Sequence, residues 1–293
     1  MSSASDRLRQ VLDGASIDTA WDHLEWMSRE VPERISGWPE AKRQADYLTN
    51  ELQIYGFEAR QDQFPGLVSY PLPGALTLLE PESRTIEAMT FAHSTSTPES
   101  GLEGELVYVG AGGESDYEGV DVGGKIVLAE LSYAPPRPEK TRIATVNGAI
   151  GLILINWGDD DNPSIPMGTV KSVWGNPTVD NLDQMPNLPA IGIARNEGIR
   201  VRELAQSGIL RARIVAKAER VWRELHQPFG ILDTGGRQVI LIGDHMDSWG
   251  GGATDNASGN AVTLEVARIL AQHRDELRRD VWVAFWQAHE NGI

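Results

Sequence analysis

The chain of 293 residues is 41% apolar and lacks cysteine, which argues against global disorder and excludes disulfide scaffolds, thiolate metal sites and cysteine nucleophiles together. Its 42 acidic residues against 26 basic ones leave a net charge of -16. That balance opposes nucleic acid or a membrane surface as partner, since both need Lys and Arg to neutralise phosphates, and any metal must be held by His, Asp and Glu.

Ile17, Trp21, Leu24 and Met27 follow a helical spacing behind Ser16, a residue suited to the N-cap. A second helix is predicted from Pro39 to Tyr55. Ala41, Ala45, Leu48 and Leu52 form its apolar stripe, Pro39 suits the first turn and Gly56 the C-terminal cap. A short loop, Glu33 to Gly37, lies between them, and the clearest strand-like piece after Gly56 is Ala75 to Leu79. From Thr90 to Ala218 the texture changes. Short β-rich runs at Glu105–Val109, Lys125–Ala129, Gly151–Ile155, Ala190–Ile193 and Ala212–Val215 alternate with Gly-, Pro- and Asp-rich connections and one helix near Thr141–Asn147, which predicts a β-rich module of its own. Asp159-Asp160-Asp161 lacks the Gly and bidentate Glu of a calcium loop and reads as a solvated turn. Lys217, Arg220 and Arg223 read as a solvated strip between modules, and His23, His93, His226 and His273 as incidental.

The last stretch changes again. Val239–Ile242 is an uninterrupted apolar run, as expected of a strand covered on both faces. A helix follows from Gly259 to Gln272 with Val262, Val266, Ile269 and Leu270 on one side, then a second strand, Val281–Trp286. Strand, helix and strand with short links make a βαβ unit, its strands parallel and its crossover right-handed.

Both of these strands run into side chains that can hold a metal. The first leads to Gly243-Asp244-His245-Met246-Asp247-Ser248-Trp249, the second to Gln287-Ala288-His289-Glu290. In open α/β sheets ligands sit beyond the carboxyl ends of the strands, which places His245 and Glu290 on one edge. The glycine-rich loop Gly250–Gly259 returns Asp255 to that edge. Residues two apart in an extended chain share a side, so Asp247 can lean on the His245 ring and leave the other nitrogen for a metal. Asp255 has two oxygens with which to bridge two ions, Glu290 can ligate one, and His289 can take a proton from an activated water. Other readings stand beside these: a hydrogen-bonding His at a strand end, a plain glycine turn, or Asp255 and Asn256 capping the helix. A phosphate loop fails on the missing Lys and Ser/Thr at Walker spacing.

These motifs resemble metallopeptidase family 28, the co-catalytic zinc exopeptidases whose members include aminopeptidases, glutamate carboxypeptidases and the transferrin receptor ectodomain. His245-Met-Asp-Ser-Trp249, Gly252–Gly259 and Ala288–Gly292 carry the resemblance, while Gly124–Val127 and Asn147–Ile153 resemble the protease-associated insert of such enzymes. The resemblance implies an α/β fold with a mostly parallel sheet flanked by helices. Peptidase parts are expected at 1–89 and 219–293, interrupted by the insert at 90–218. It also implies two Zn2+ ions in the complete protein, with metal ligands His245, Asp255 (bridging) and Glu290, Asp247 orienting His245, and His289 where the family has a general-base Glu. Two further ligands are expected after residue 293. The implied activity is hydrolysis of a peptide substrate as an exopeptidase, an aminopeptidase first. A family member that binds without catalysis, or a zinc acyl-transfer enzyme related to glutaminyl cyclase, are the alternatives. The start, Met1 to Asp13, has no secretory apolar core and no stretch approaches the roughly 18 apolar residues of a bilayer span, so a cytoplasmic location is expected unless the N-terminus is cropped.

Overall fold

The structure is a computed structural model that describes residues 9, 11–80 and 83–293. In chain order its labelled elements are α1 (Ile17–Glu30), α2 (Pro39–Ile54), β1 (Glu58–Pro71), β2 (Pro73–Glu80), β3 (Arg84–Thr90), β4 (Leu102–Tyr108) and β5 (Ile126–Glu130). There follow α3 (Arg137–Val146), β6 (Gly151–Ile155), β7 (Ala190–Ile193), α4 (Arg195–Ser207), β8 (Leu210–Val215), β9 (Ala218–Leu232), β10 (Val239–His245), α5 (Ser258–Gln272) and β11 (Asp280–Trp286). They form two compact units, one of Met1–Gly66, Trp222–Asn291 and Ile293, the other of Leu67–Val221 and Gly292. Among the described residues no helix is long and apolar enough to cross a membrane.

In the first unit the described strands form a sheet of order β1-β9-β11-β10. β10 and β11 pair in parallel, His245 opposite Trp286, and helix α5 makes the crossover. β11 and β9 pair antiparallel, so the sheet is mixed and not mostly parallel. The reason is the connection between β9 and β10, which is too short for a crossover of the dozen or more residues that parallel strands need. β10 must therefore reverse direction, and β11, following β10, runs against β9.

The apolar run of β10 also differs from expectation. Val239, Ile240 and Leu241 are 43%, 45% and 51% exposed, because β10 ends the sheet order, while Val281, Val283, Ala284 and Phe285 of the inner β11 are buried. On α5 the buried face is Ala261, Leu264 and Ala267, and Val262 of the expected stripe is exposed. Helix α2 buries Ala41, Ala45, Leu48 and Leu52, starts with Pro39 at its N-terminus, and ends before Gly56, whose φ of 91° is left-handed. Helix α1 begins at Ser16, whose Oγ accepts from the Thr19 N–H at 3.1 Å. Its inward face is His23 and Met27, whereas Ile17 and Trp21 face solvent. His23 is not incidental to this packing. Its two ring nitrogens lie 2.6 and 2.7 Å from the hydroxyls of Tyr47 and Tyr55, and burial pushes the imidazole pKa down. Phenol partners satisfy both nitrogens, which makes a polar group tolerable in the core.

The second unit is a closed barrel of order β2-β3-β7-β6-β5-β4-β8 among the described residues. β4, β5, β6 and β7 pair in parallel; β2, β3 and β8 close the barrel with antiparallel pairs. β5 and β6 are buried throughout: Leu76, Ile126, Leu128, Ile153 and Ile191 share one core, Val127, Leu152, Leu154 and Ile143 of α3 another. Glu130, at the end of β5, is buried between Arg195 (3.1 Å) and Arg202 (2.8 Å) of α4. Asp160, of the acidic triplet, pairs with Arg195 at 2.9 Å. In this unit Arg220 donates to the His93 and Pro186 carbonyls; Arg223, in the first unit, lies 4.5 Å over the Trp38 ring. These two arginines are engaged groups and not a solvated strip.

Candidate metal centre

The first unit brings together His245, Asp255 and Glu290, with one ligand atom from each lying within 4.8 Å of the others. His245 ends β10, Glu290 follows β11, and the parallel register of these strands puts both beyond the same sheet edge. Asp255 comes from the loop before α5. That loop folds tightly: Gly252 is left-handed (φ 45°), and a Cβ there would lie 2.3 Å from the Ser248 Cβ. Asp255 itself has extended backbone (φ -118°, ψ 91°), and its peptide to Asn256 is cis. The capping reading has no bond to rest on, since α5 takes Ala257 as N-cap and has no side-chain cap hydrogen bond.

His245 is held from both sides. Its Nδ1 lies 3.0 Å from the carbonyl oxygen of Asp247 and 3.4 Å from Oδ1 of the same residue, while Nε2 is 3.0 Å from Asp255 Oδ1. Asp247 is fully buried, and its Oδ2 accepts from the Glu290 N–H at 3.0 Å. Asp255 is 72% exposed in its side chain. His289 is exposed, and its ring stacks on His245 with centroids 4.3 Å apart and planes 26° from parallel.

Several groups that sequence reasoning left without a role complete the site. Trp249 Nε1 donates to Glu290 Oε2 at 2.5 Å. Asn260, on the first turn of α5, donates to Asp244 Oδ1 (2.9 Å) and the His245 carbonyl (2.8 Å), and accepts from Gln44 of α2 at 2.8 Å. Arg34, fully buried, donates to the carbonyls of Met27, Val31, Gly251 and Gly252, tying the end of α1 to the glycine loop. Ser36 Oγ accepts from the Ala288 N–H (2.8 Å) and donates to Gln287 Oε1 (2.6 Å). Ala288 sits at φ 62°, an uncommon conformation for a residue with a Cβ. The only sequence signal for Arg34 and Ser36 was their place in the short loop between α1 and α2.

The electrostatics follow from crowding acids around one imidazole. Burial pushes Glu290 up to about 7, with the charges of Asp247 and Asp255 adding to it and the Trp249 and His245 contacts opposing. Burial likewise raises Asp244 to about 6 against the Asn260 hydrogen bond. For His245 burial acts downward, but the hydrogen bond and charge of Asp247, with Asp255 and Glu290, prevail and hold it at about 9. Such a cluster could hold a cation in place of protons. One imidazole nitrogen and two carboxylate oxygens from three segments suit a first-row divalent ion, whose bonds to such ligands are about 2.0–2.2 Å.

Comparison with known proteins fits this geometry. The model of peptidase family M28 matches residues 230–293, and that of the PA domain residues 102–201. The chain is 28% identical over 268 residues to the probable lipoprotein aminopeptidase LpqL of Mycobacterium tuberculosis, covering 89% of this chain and 49% of that one. Among solved structures, an aminopeptidase from Aneurinibacillus sp. strain AM-1 superposes with a TM-score of 0.70 at 25% identity, over 97% of this chain and 65% of that one. The Bacillus subtilis zinc aminopeptidase BSAP superposes at 0.69 and 21% identity, over 93% and 62%, a likeness of fold. The chain spans about half the length of the curated relatives it matches. By these matches residues 230–293 are similar to peptidase family M28 and residues 102–201 to the PA domain.

Proposed function

We propose that the protein containing this chain is a zinc-dependent exopeptidase, in the first place an aminopeptidase, which hydrolyses the peptide bond next to a free terminus. The gathering of His245, Asp255 and Glu290 from three segments carries this reading. The names of the relatives, aminopeptidases among them, support it. His245, Asp255 and Glu290 would hold the metal, with Asp255 placed to bridge to a second ion. Zinc, when bound, lowers the pKa of a water to about 7 and polarises the scissile carbonyl. Asp247 orients His245 by holding Nδ1, which leaves Nε2 turned toward Asp255. A ring nitrogen of His289, beside His245 and open to solvent, takes a proton from the attacking water and returns it to the leaving amine.

The test is turnover of aminoacyl p-nitroanilides by the full-length protein, with its zinc content measured alongside. Turnover disappears with a chelator and returns with zinc. Asp255→Ala weakens zinc binding by more than the roughly 10–100-fold typical of partners outside the ligand set. Chelator-resistant turnover by the pure protein overturns the proposal. A second reading, a protein that binds peptides without cleaving them, is favoured by His289 in place of a carboxylate. Stoichiometric zinc with no turnover of any terminal substrate selects it.

A further inference from the structure

We propose that Trp249 is a positioning residue that fixes Glu290 as a one-oxygen metal ligand. The inference rests on the zinc reading of His245, Asp255 and Glu290. Indole Nε1 donates to Glu290 Oε2 at 2.5 Å. An indole N–H only donates, so Trp249 cannot itself compete for a cation. The turn that leaves β10 grips Glu290 twice, because Asp247 Oδ2 accepts from its backbone N–H at 3.0 Å. The loop that carries His245 thereby also sets the position of the acid on the neighbouring strand. With Oε2 committed to the indole, Oε1 is the oxygen left to face Asp255 and His245. Chelation through both oxygens would make Oε2 share itself between the metal and the part-buried indole N–H, weakening a bond for which this donor has no other acceptor among the described residues. Holding the acid to one oxygen keeps the coordination number low and a position open, as hydrolytic zinc sites require.

The experiment replaces Trp249 by Phe, which keeps an aromatic ring and removes the donor. The probes are Zn2+, titrated against a chromophoric chelator, and Co2+, whose visible absorption weakens as coordination rises above four. In Trp249→Phe zinc affinity falls by about 10–100-fold and the cobalt band weakens relative to the parent. Trp249→Tyr, a ring with a donor at a different reach, falls between the two and serves if the Phe variant folds poorly. In a Glu290→Gln background Trp249→Phe adds no further loss. Unchanged zinc affinity and an unchanged cobalt band in Trp249→Phe overturn the inference and leave the zinc reading standing. A parent that binds neither ion overturns the zinc reading and this inference together.

Discussion

β6 and β10 read almost alike, Gly-Leu-Ile-Leu-Ile against Val-Ile-Leu-Ile, yet one is wholly buried and the other half exposed along its apolar run. β6 has β5 and β7 on its two edges inside a closed barrel; among the described residues β10 has β11 on one edge and ends its sheet. An apolar run states what a strand requires and not which neighbours are present. The two units treat charge just as differently. Among the described residues the barrel buries one acid, Glu130, and saturates it with two arginines. The sheet unit collects Asp244, Asp247, Asp255 and Glu290 around His245, on which His289 stacks, with Arg34 spent on backbone carbonyls. Neutralised charge in the first case serves the fold, and unneutralised charge in the second is available for a ligand.

The contrast can be broken most forcefully at Glu130. Glu130→Gln leaves the partly exposed Arg195 and Arg202 facing a neutral amide, and chemical denaturation should show a loss of about 1–3 kcal/mol in the barrel transition. Zinc affinity should be untouched. A change in metal binding without a change in stability would invert the division of labour drawn above.

A smaller effect comes from pH. Glu290, Asp244 and His245 all have pKa values raised above their ordinary ones, to about 7, 6 and 9. Each binds its proton more tightly folded than unfolded, so each stabilises the metal-free protein fully below its ordinary pKa and ceases to as pH rises through the raised one. The thermal midpoint of the metal-free sheet unit should therefore fall from about pH 5 to about pH 9. Saturating zinc should oppose the decline, since ligands bind it deprotonated. A metal-free midpoint that climbs across this window contradicts the crowding account. The smallest expected effect is at Leu241, 51% exposed in this chain. Leu241→Lys should alter the chain's stability in chemical denaturation by no more than about 0.5 kcal/mol.

Much of this was legible beforehand for a definable reason. α2 could be read because its stripe, first-turn proline and closing glycine agree with one another. The parallel pairing of β10 and β11 could be read because a helix between two strands of one sheet leaves little alternative, and that pairing carries His245 and Glu290 to one edge. What escaped reading depended on contacts across the fold. The inward face of α1 is set by phenols on another helix, and no local period announces that His23 will displace Ile17 and Trp21 from the core. α4 buries little beyond Gly198 and Val201, so its charged sequence shows no stripe to find. Trp249, Asn260 and Arg34 act through hydrogen bonds that include partners tens to hundreds of residues away in the chain, and residue type alone does not specify such partners.

Ser36 gives the turn at Ala288 an unusual kind of control. A hydroxyl 252 residues upstream in sequence holds the left-handed bend from which His289 and Glu290 project. Drift in an inconspicuous loop can thus re-aim His289 and Glu290 as a pair without replacing either residue, and offers selection a tuning screw well away from the side chains it adjusts.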